Sequence, residues 1–161
     1  MATFEGDAIV SFVGAADVPI EHMVDLEDVA RNAPIFSEEM LHFICEIFDK
    51  DLEKMVLRQR LLIAILLEEL QQFPPCANIV RKGNDLYDGK AKLSVSVATS
   101  SPISCLIHTG INILSHNTPV LTKGLREYSI DPKTLADKAM QRFAEELSGA
   151  AHACTKVRAV A

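Results

Sequence analysis

The sequence predicts an α+β domain in which an antiparallel sheet is covered by two long helices. Three observations carry that expectation. Residues 77–114 are rich in β-branched side chains, alternate apolar with polar, and are punctuated by Asp88-Gly89 and Thr99-Ser100-Ser101-Pro102. Residues 51–72 and 132–151 carry apolar side chains at helical spacing. Strands and helices are therefore segregated along the chain instead of alternating, which favours α+β over α/β.

Ala8 to Val13 is short, β-rich and followed by Gly14, so it reads as a strand. From Val18 to Val29 two readings stand. Met23, Leu26 and Val29 suit a helix, whereas Pro19 suits a strand entering a turn. Ser37 is a plausible N-cap for a helix through Phe48, with Met40, Leu41, Ile44 and Phe48 on one face. The 51–72 helix is apolar all round at Leu61–Leu67, which implies burial on more than one side, and Pro74-Pro75 end it. The stretches 77–87, 90–98 and 105–114 read as three successive antiparallel strands. Pro132 after Asp131 opens the last helix, and Leu135, Ala139, Phe143 and Leu147 form its apolar stripe.

The chain has 161 residues, one domain by the usual length relation. A domain of this size buries roughly 68–70% of its unfolded surface, enough for a core without staples. Its net charge of −6 argues against nucleic acid, which needs clustered Lys and Arg. No apolar stretch approaches the roughly 20 residues of a membrane span. The cysteines (45, 76, 105 and 154) form no CxxC pair, and the opening MATFEGD lacks the basic and apolar parts of a signal peptide. A soluble, cytoplasmic protein with reduced thiols is expected, with a homodimer through an apolar sheet or helix surface as one mode of assembly.

The ribbon of residues 81–114 holds the candidate site. A two-residue Asp88-Gly89 turn places Tyr87 opposite Lys90, Asp85 opposite Lys92 and Gly83 opposite Ser94. Alternation sets Ser94 and Ser96 on the face of Lys92, and sends Leu93, Val95 and Val97 into the core. If Ile107, Ile111 and Ile113 join that core, His108 and Asn112 join the polar face, with Gly83 and Gly110 leaving room for a ligand. The plain alternative is a solvated outer face. Arg81 enters the ribbon where it can steer a phosphate or carboxylate, or simply end a strand. Asp25, Glu27 and Asp28 beside His22 offer oxygens to a divalent metal, or else form a solvated acidic turn. His42 reads as structural. There is no P-loop, dinucleotide fingerprint or nucleophilic-serine elbow, and no histidine spacing of a zinc site.

Gly83-Asn84-Asp85-Leu86-Tyr87, Lys92-Leu93 and Gly110-Ile111-Asn112-Ile113 together resemble the catalytic core of the biotin and lipoate protein ligases. The resemblance implies a class II synthetase-like fold. It gives Lys92 contact with the acyl carboxylate and α-phosphate of an adenylate, where its charge stabilises the charge that develops. Asp85 joins Lys92 as a catalytic residue. Asn84, Ser94, Ser96, His108, Asn112 and Arg81 are placed around the ligand, Asp25 and Asp28 on a metal, and ATP and magnesium are the implied cofactors.

A longer set of motifs covers most of the chain: HMVDLED at 22–28, KLSVSVAT at 92–99, SPISCLIHTGIN at 101–112 and Lys156-Val157-Arg158. These resemble the prokaryotic family of unknown function DUF366. Three departures stand out. The Arg- and Gly-rich loop that closes over the adenylate in biotin ligases has no counterpart, Val95 replaces a glycine of the lysine motif, and an Arg-containing segment ahead of the first strand is unmatched. The expected function is binding of a small carboxylate or nucleotide-like ligand, with ligase or acyl-transfer chemistry. The alternative is a non-catalytic binding or assembly module on a degenerate ligase-like fold.

Overall fold

The computed structural model describes residues 6–160; the first five residues of the opening segment and Ala161 lie outside it. Strands β1 (Ala8–Val18) and β2 (Ile35–Ile47) flank a short helix α1 (Leu26–Ala30). Helix α2 (Leu52–Gln71) leads into β3 (Ile79–Lys82), β4 (Asp85–Asp88) and β5 (Ala91–Lys92), then β6 (Ser94–Ser100) and β7 (Cys105–Asn112). Helix α3 (Pro132–Thr155) closes the chain. The order β1-β2-β7-β6 makes a four-stranded antiparallel sheet, and β3-β4-β5 make a second, smaller one. Helix α2 packs on β6 and β7, and α3 on β1 and β2. The core lies between them, around Leu41, Phe43, Leu62, Leu66, Ile107 and Phe143. No helix of the described residues is long and apolar enough to cross a membrane.

Both long helices form where the apolar spacing puts them. Asp51 caps α2 by accepting from Lys54 N–H at 2.9 Å, and Asp131 caps α3 by accepting from Thr134 N–H at 2.8 Å. The 37–48 segment corrects the helical reading. It is the inner part of β2, and Ser37 is no cap: its hydroxyl donates to the Glu39 carbonyl at 3.3 Å. As a central strand β2 is buried on both faces, so its apolar run is nearly continuous and matches helical spacing by coincidence. The 18–29 stretch, open between two readings, is both things in turn: strand to Val18, a one-turn 3-10 helix at Ile20–His22, then α1.

A bulge in the β1–β2 ladder shapes one wall of the sheet. Gly14 pairs with Met40 but Ala16 pairs with Ser37, so β2 carries an extra residue between them. A bulge of this kind changes which side chains face which way. It brings Ile35 onto the same wall as Met40 and His42. It also leaves the Glu39 carbonyl to accept from the Ile113 and Leu114 N–H groups, at 2.9 and 3.3 Å.

A cleft built around Lys92

The turn chemistry places the site, with a register different from the expected one. Asp88 pairs with Ala91 and Tyr87 with Lys92, so the turn is Gly89-Lys90 with positive φ at Gly89 alone (60°). A second tight turn, with Gly83 at φ 62°, divides the 77–87 segment into β3 and β4. The register differs from expectation by two residues, not one, so no side chain changes face. Asp85 therefore still meets Lys92, across a diagonal, with Oδ2 and Nζ 3.0 Å apart and 24% and 28% of each side chain exposed.

The main chain of Lys92 is held from three sides. Its N–H donates to the Leu121 carbonyl at 2.9 Å. Its carbonyl accepts from Lys123 N–H at 3.2 Å and from the Asn112 side-chain amide at 3.3 Å. The strap that supplies Leu121 and Lys123 is itself tied to β4, because Asp88 accepts from Lys123 Nζ at 2.6 Å and from the Tyr128 hydroxyl at 2.8 Å. Asn112 thus fixes Lys92, and it lines the second lobe of the cleft as well.

Lys92 opens into a cleft of ≈470 Å³ on the face of the large sheet away from α2 and α3, with α1 on its rim. Asp25, Asp28, Asn84, Asp85 and His108 line it with Lys92, and so do His22 and His42. A second lobe of ≈400 Å³ adjoins it, walled by Ala33, Pro34, Ile35, Phe36, Pro119 and Val120. Lys92 lines both lobes, as do Asp28 and Met40. Asp85 has its carboxyl pushed up from the usual range, chiefly by burial; the Lys92 charge opposes this, and Asp28 and Asp25 reinforce it.

Several expected positions are corrected. Val95 and Val97 lie opposite Gly110 and His108 and face the cleft, whereas Ser94 and Ser96 lie opposite Ile111 and Thr109, on the helix side. The chain passes from one sheet to the other at Leu93, and alternation does not carry across that break. Ser96 touches the cleft wall, but its hydroxyl is engaged by Gln59 Nε2 at 2.9 Å and Thr109 Oγ1 at 2.7 Å. Ser94 lines the second lobe, but it is fully buried and its hydroxyl is engaged, accepting from Leu86 N–H. Arg81 folds back onto its own turn, donating to the Gly83 carbonyl at 2.7 Å, and lines neither lobe. Gly110 lines the cleft, but the space beside its Cα is taken by Met40, whose Cε would stand 2.9 Å from a Cβ there, and Gly83 is a turn residue.

Asp25 has a structural task as well: it caps α1, accepting from Glu27 N–H at 2.8 Å. Among the described residues no three His, Cys, Asp or Glu side chains converge on a metal site. His42 was missed as a cleft residue because the helical reading put it on the wrong element. Its alternation with Leu41 and Phe43 was the available signal.

A family model, "Domain of unknown function (DUF366)", matches residues 1–158. The chain belongs to the DUF366 family. An uncharacterized protein of Methanocaldococcus jannaschii is 38% identical over 144 residues, 86% of this chain and 63% of the relative, so the chain spans less than two thirds of that protein. A solved protein of unknown function from Pyrococcus horikoshi is similar at 35% identity, TM-score 0.89, covering 98% of this DUF366 chain and 84% of that one. Biotin protein ligase from Aquifex aeolicus in complex with biotin and ATP is similar in fold: TM-score 0.58, 22% identity, 69% and 51% coverage. So is LipL1 of P. falciparum in complex with lipoate, at TM-score 0.57, 12% identity, 91% and 49% coverage. The biotin/lipoate-ligase-like fold of this DUF366 protein is thereby established.

Proposed function

We propose that the cleft binds a small carboxylate or nucleotide-like ligand with Lys92 on its anionic group, and that ligase-type activation of the carboxylate is the chemistry. The observation that carries this reading is the placement of Lys92. Its main chain is fixed by three hydrogen bonds while the residue lines both a polar and an apolar lobe, with its ammonium on Asp85. Such pre-organisation is what transition-state charge stabilisation requires. A cation there can hold a carboxylate whose tail lies among Ala33, Pro34, Phe36 and Val120, and whose activating group occupies the polar lobe. Lobes of ≈470 and ≈400 Å³ fall in the range of small-molecule sites.

A magnesium ion commonly uses one or two carboxylates together with substrate phosphates. Asp28 and Asp25 fit that role as partners to a phosphate, not as a self-sufficient metal cage. In adenylation a carboxylate oxygen attacks the α-phosphorus of ATP and pyrophosphate leaves. Lys92 would stabilise the added negative charge, and Asp85 would orient Lys92.

Thermal-shift titration with ATP, magnesium, lipoic acid and a panel of shorter acids tests binding, since a ligand of the native state raises Tm by mass action. A concentration-dependent rise that Lys92→Ala removes, with the variant's own melting intact, is the expected result. No rise with any ligand, or a rise indifferent to Lys92, overturns the reading. Pyrophosphate exchange then separates adenylation from binding alone, the outcome expected of a non-catalytic module.

A further inference from the structure

The cleft wall also holds a pair of histidines on neighbouring strands. His42 Nδ1 and His108 Nε2 are 3.0 Å apart, and His42 Nε2 lies 3.3 Å from the Gly14 carbonyl oxygen. Phe12 stacks on the His42 ring, with centroids 4.8 Å apart and planes 20° from parallel. His42 is buried, 4% exposed, while His108 is exposed on the cleft wall.

The protons in this chain can be placed by elimination. A carbonyl oxygen only accepts, so His42 Nε2 carries its hydrogen. Desolvation lowers the pKa of both rings, at His108 through the part of the ring turned toward the pair and with the neighbouring His42 adding to it, so both are neutral near pH 7.5. A neutral imidazole has one donor and one acceptor nitrogen. His42 Nδ1 is therefore the acceptor, and His108 must donate from Nε2. That leaves Nδ1 of His108 as a bare acceptor with no hydrogen bond among the described residues.

We propose that His108 is a ligand-recognition residue of the cleft, accepting a hydrogen bond at Nδ1 from an N–H or O–H group of the ligand, with His42 as the positioning residue that fixes its tautomer. The inference rests on the reading that Lys92 binds the ligand's anionic group, and it narrows the ligand class. His108 and Asn112 are four residues apart on β7, about 13 Å between their backbones at the rise of an extended strand, and Asn112 holds the main-chain carbonyl of Lys92, so the His108 ring and the Lys92 main chain occupy separate parts of the cleft. A molecule that engages both Lys92 and His108 carries an anionic group and, at a separate point, a donor such as an amino or hydroxyl group. AMP has that form; acetate does not.

The test uses the full chain labelled with ¹⁵N-histidine, near pH 7.5, where ring-nitrogen shifts report tautomers directly. Expected is a single Nε2–H tautomer for both rings, loss of the fixed tautomer of His108 in His42→Phe, and movement of the His108 Nδ1 resonance on titration with AMP or ATP with magnesium. His108→Gln, at an exposed position, keeps the fold and is expected to weaken AMP binding about tenfold while leaving short acids unaffected. Mixed tautomers or a doubly protonated His108 in the unaltered protein overturn the proposal. Lys92-dependent binding that leaves Nδ1 unmoved overturns it too, with the proposed function standing. A fixed tautomer with no binding of any probe overturns both the proposed function and the recognition role.

Discussion

Replacing Ser94 by Ala separates a structural hydroxyl from a ligand-binding one. At the junction of the two sheets the Leu93 carbonyl accepts from the Asn112 N–H at 2.9 Å, toward the large sheet. It is then not the ladder partner of Leu86, although the Leu93 N–H still donates to the Leu86 carbonyl at 2.8 Å. The Leu86 N–H is satisfied instead by Ser94 Oγ at 2.9 Å, and both residues are fully buried. Ser94→Ala leaves that donor unpaired in a place water does not reach. An orphaned buried polar group costs about 1–3 kcal/mol, which at roughly 3 °C per kcal/mol for a chain of this size lowers Tm by about 3–9 °C.

Urea unfolding supplies the assay: the midpoint should fall with the slope m unchanged, and the Leu86 amide should lose hydrogen-exchange protection. The thermal shift produced by any Lys92-dependent ligand should survive. An unchanged midpoint would refute the account of the sheet junction. Intact stability with lost ligand response would return Ser94 to the site.

The histidine pair and the strap each give a further expected outcome. The lowered histidine pKa values make stability depend on pH: the unfolded chain takes up protons near pH 6.5 and the folded one only below it. Stability from His42 and His108 is therefore full above pH 6.5 and lost as pH falls through their folded values. The raised carboxyl of Asp85 works in the opposite sense. Melting between pH 8 and 5 should show a falling Tm whose slope lessens in His108→Gln; an equal slope in that variant counts against the pair as its source. Gly124→Ala should cost about 1–3 kcal/mol, because its Cβ would overlap the Ile113 carbonyl, a backbone group that cannot swing away. A urea midpoint unchanged by Gly124→Ala would show that the strap yields at no cost.

Fold class, both long helices and the companionship of Asp85 and Lys92 were legible because each rests on local rules: amphipathic period, capping aspartates and glycine turns. The motif resemblance reached the ligase-like fold from short segments. What escaped was set by long-range pairing. The identity of β2 depends on having β1 and β7 on either side, and no window of its own sequence states that. The faces of Ser94 and Ser96 depend on the break at Leu93, where the chain changes sheets. His42 joins the cleft only once β2 is a strand, and Ile35 only through the bulge. Arg81 illustrates a different limit: it does lie on a strand, though a shorter one than expected, and the direction of a long exposed side chain is not a property of alternation.

On the proposed function, the charges around Lys92 bear on which ligand can come first. Asp25, Glu27, Asp28 and Asp85 line the polar lobe against Arg31 and Lys92. Arg31 is paired with Glu27 at 3.1 Å and Lys92 with Asp85 at 3.0 Å, so the carboxylates of Asp25 and Asp28 stand in excess. A triphosphate entering alone brings several negative charges beside them, and one lysine does not offset that repulsion. A divalent cation shared between Asp28 and the phosphates reverses the sign of the interaction. A monocarboxylate needs only Lys92, and its tail turns toward the apolar lobe away from both aspartates. ATP should accordingly stabilise the protein with magnesium and not with EDTA, whereas a carboxylic acid with an apolar tail should do so in either. Equal stabilisation by ATP in EDTA would show that Asp25 and Asp28 take no part in holding the ligand.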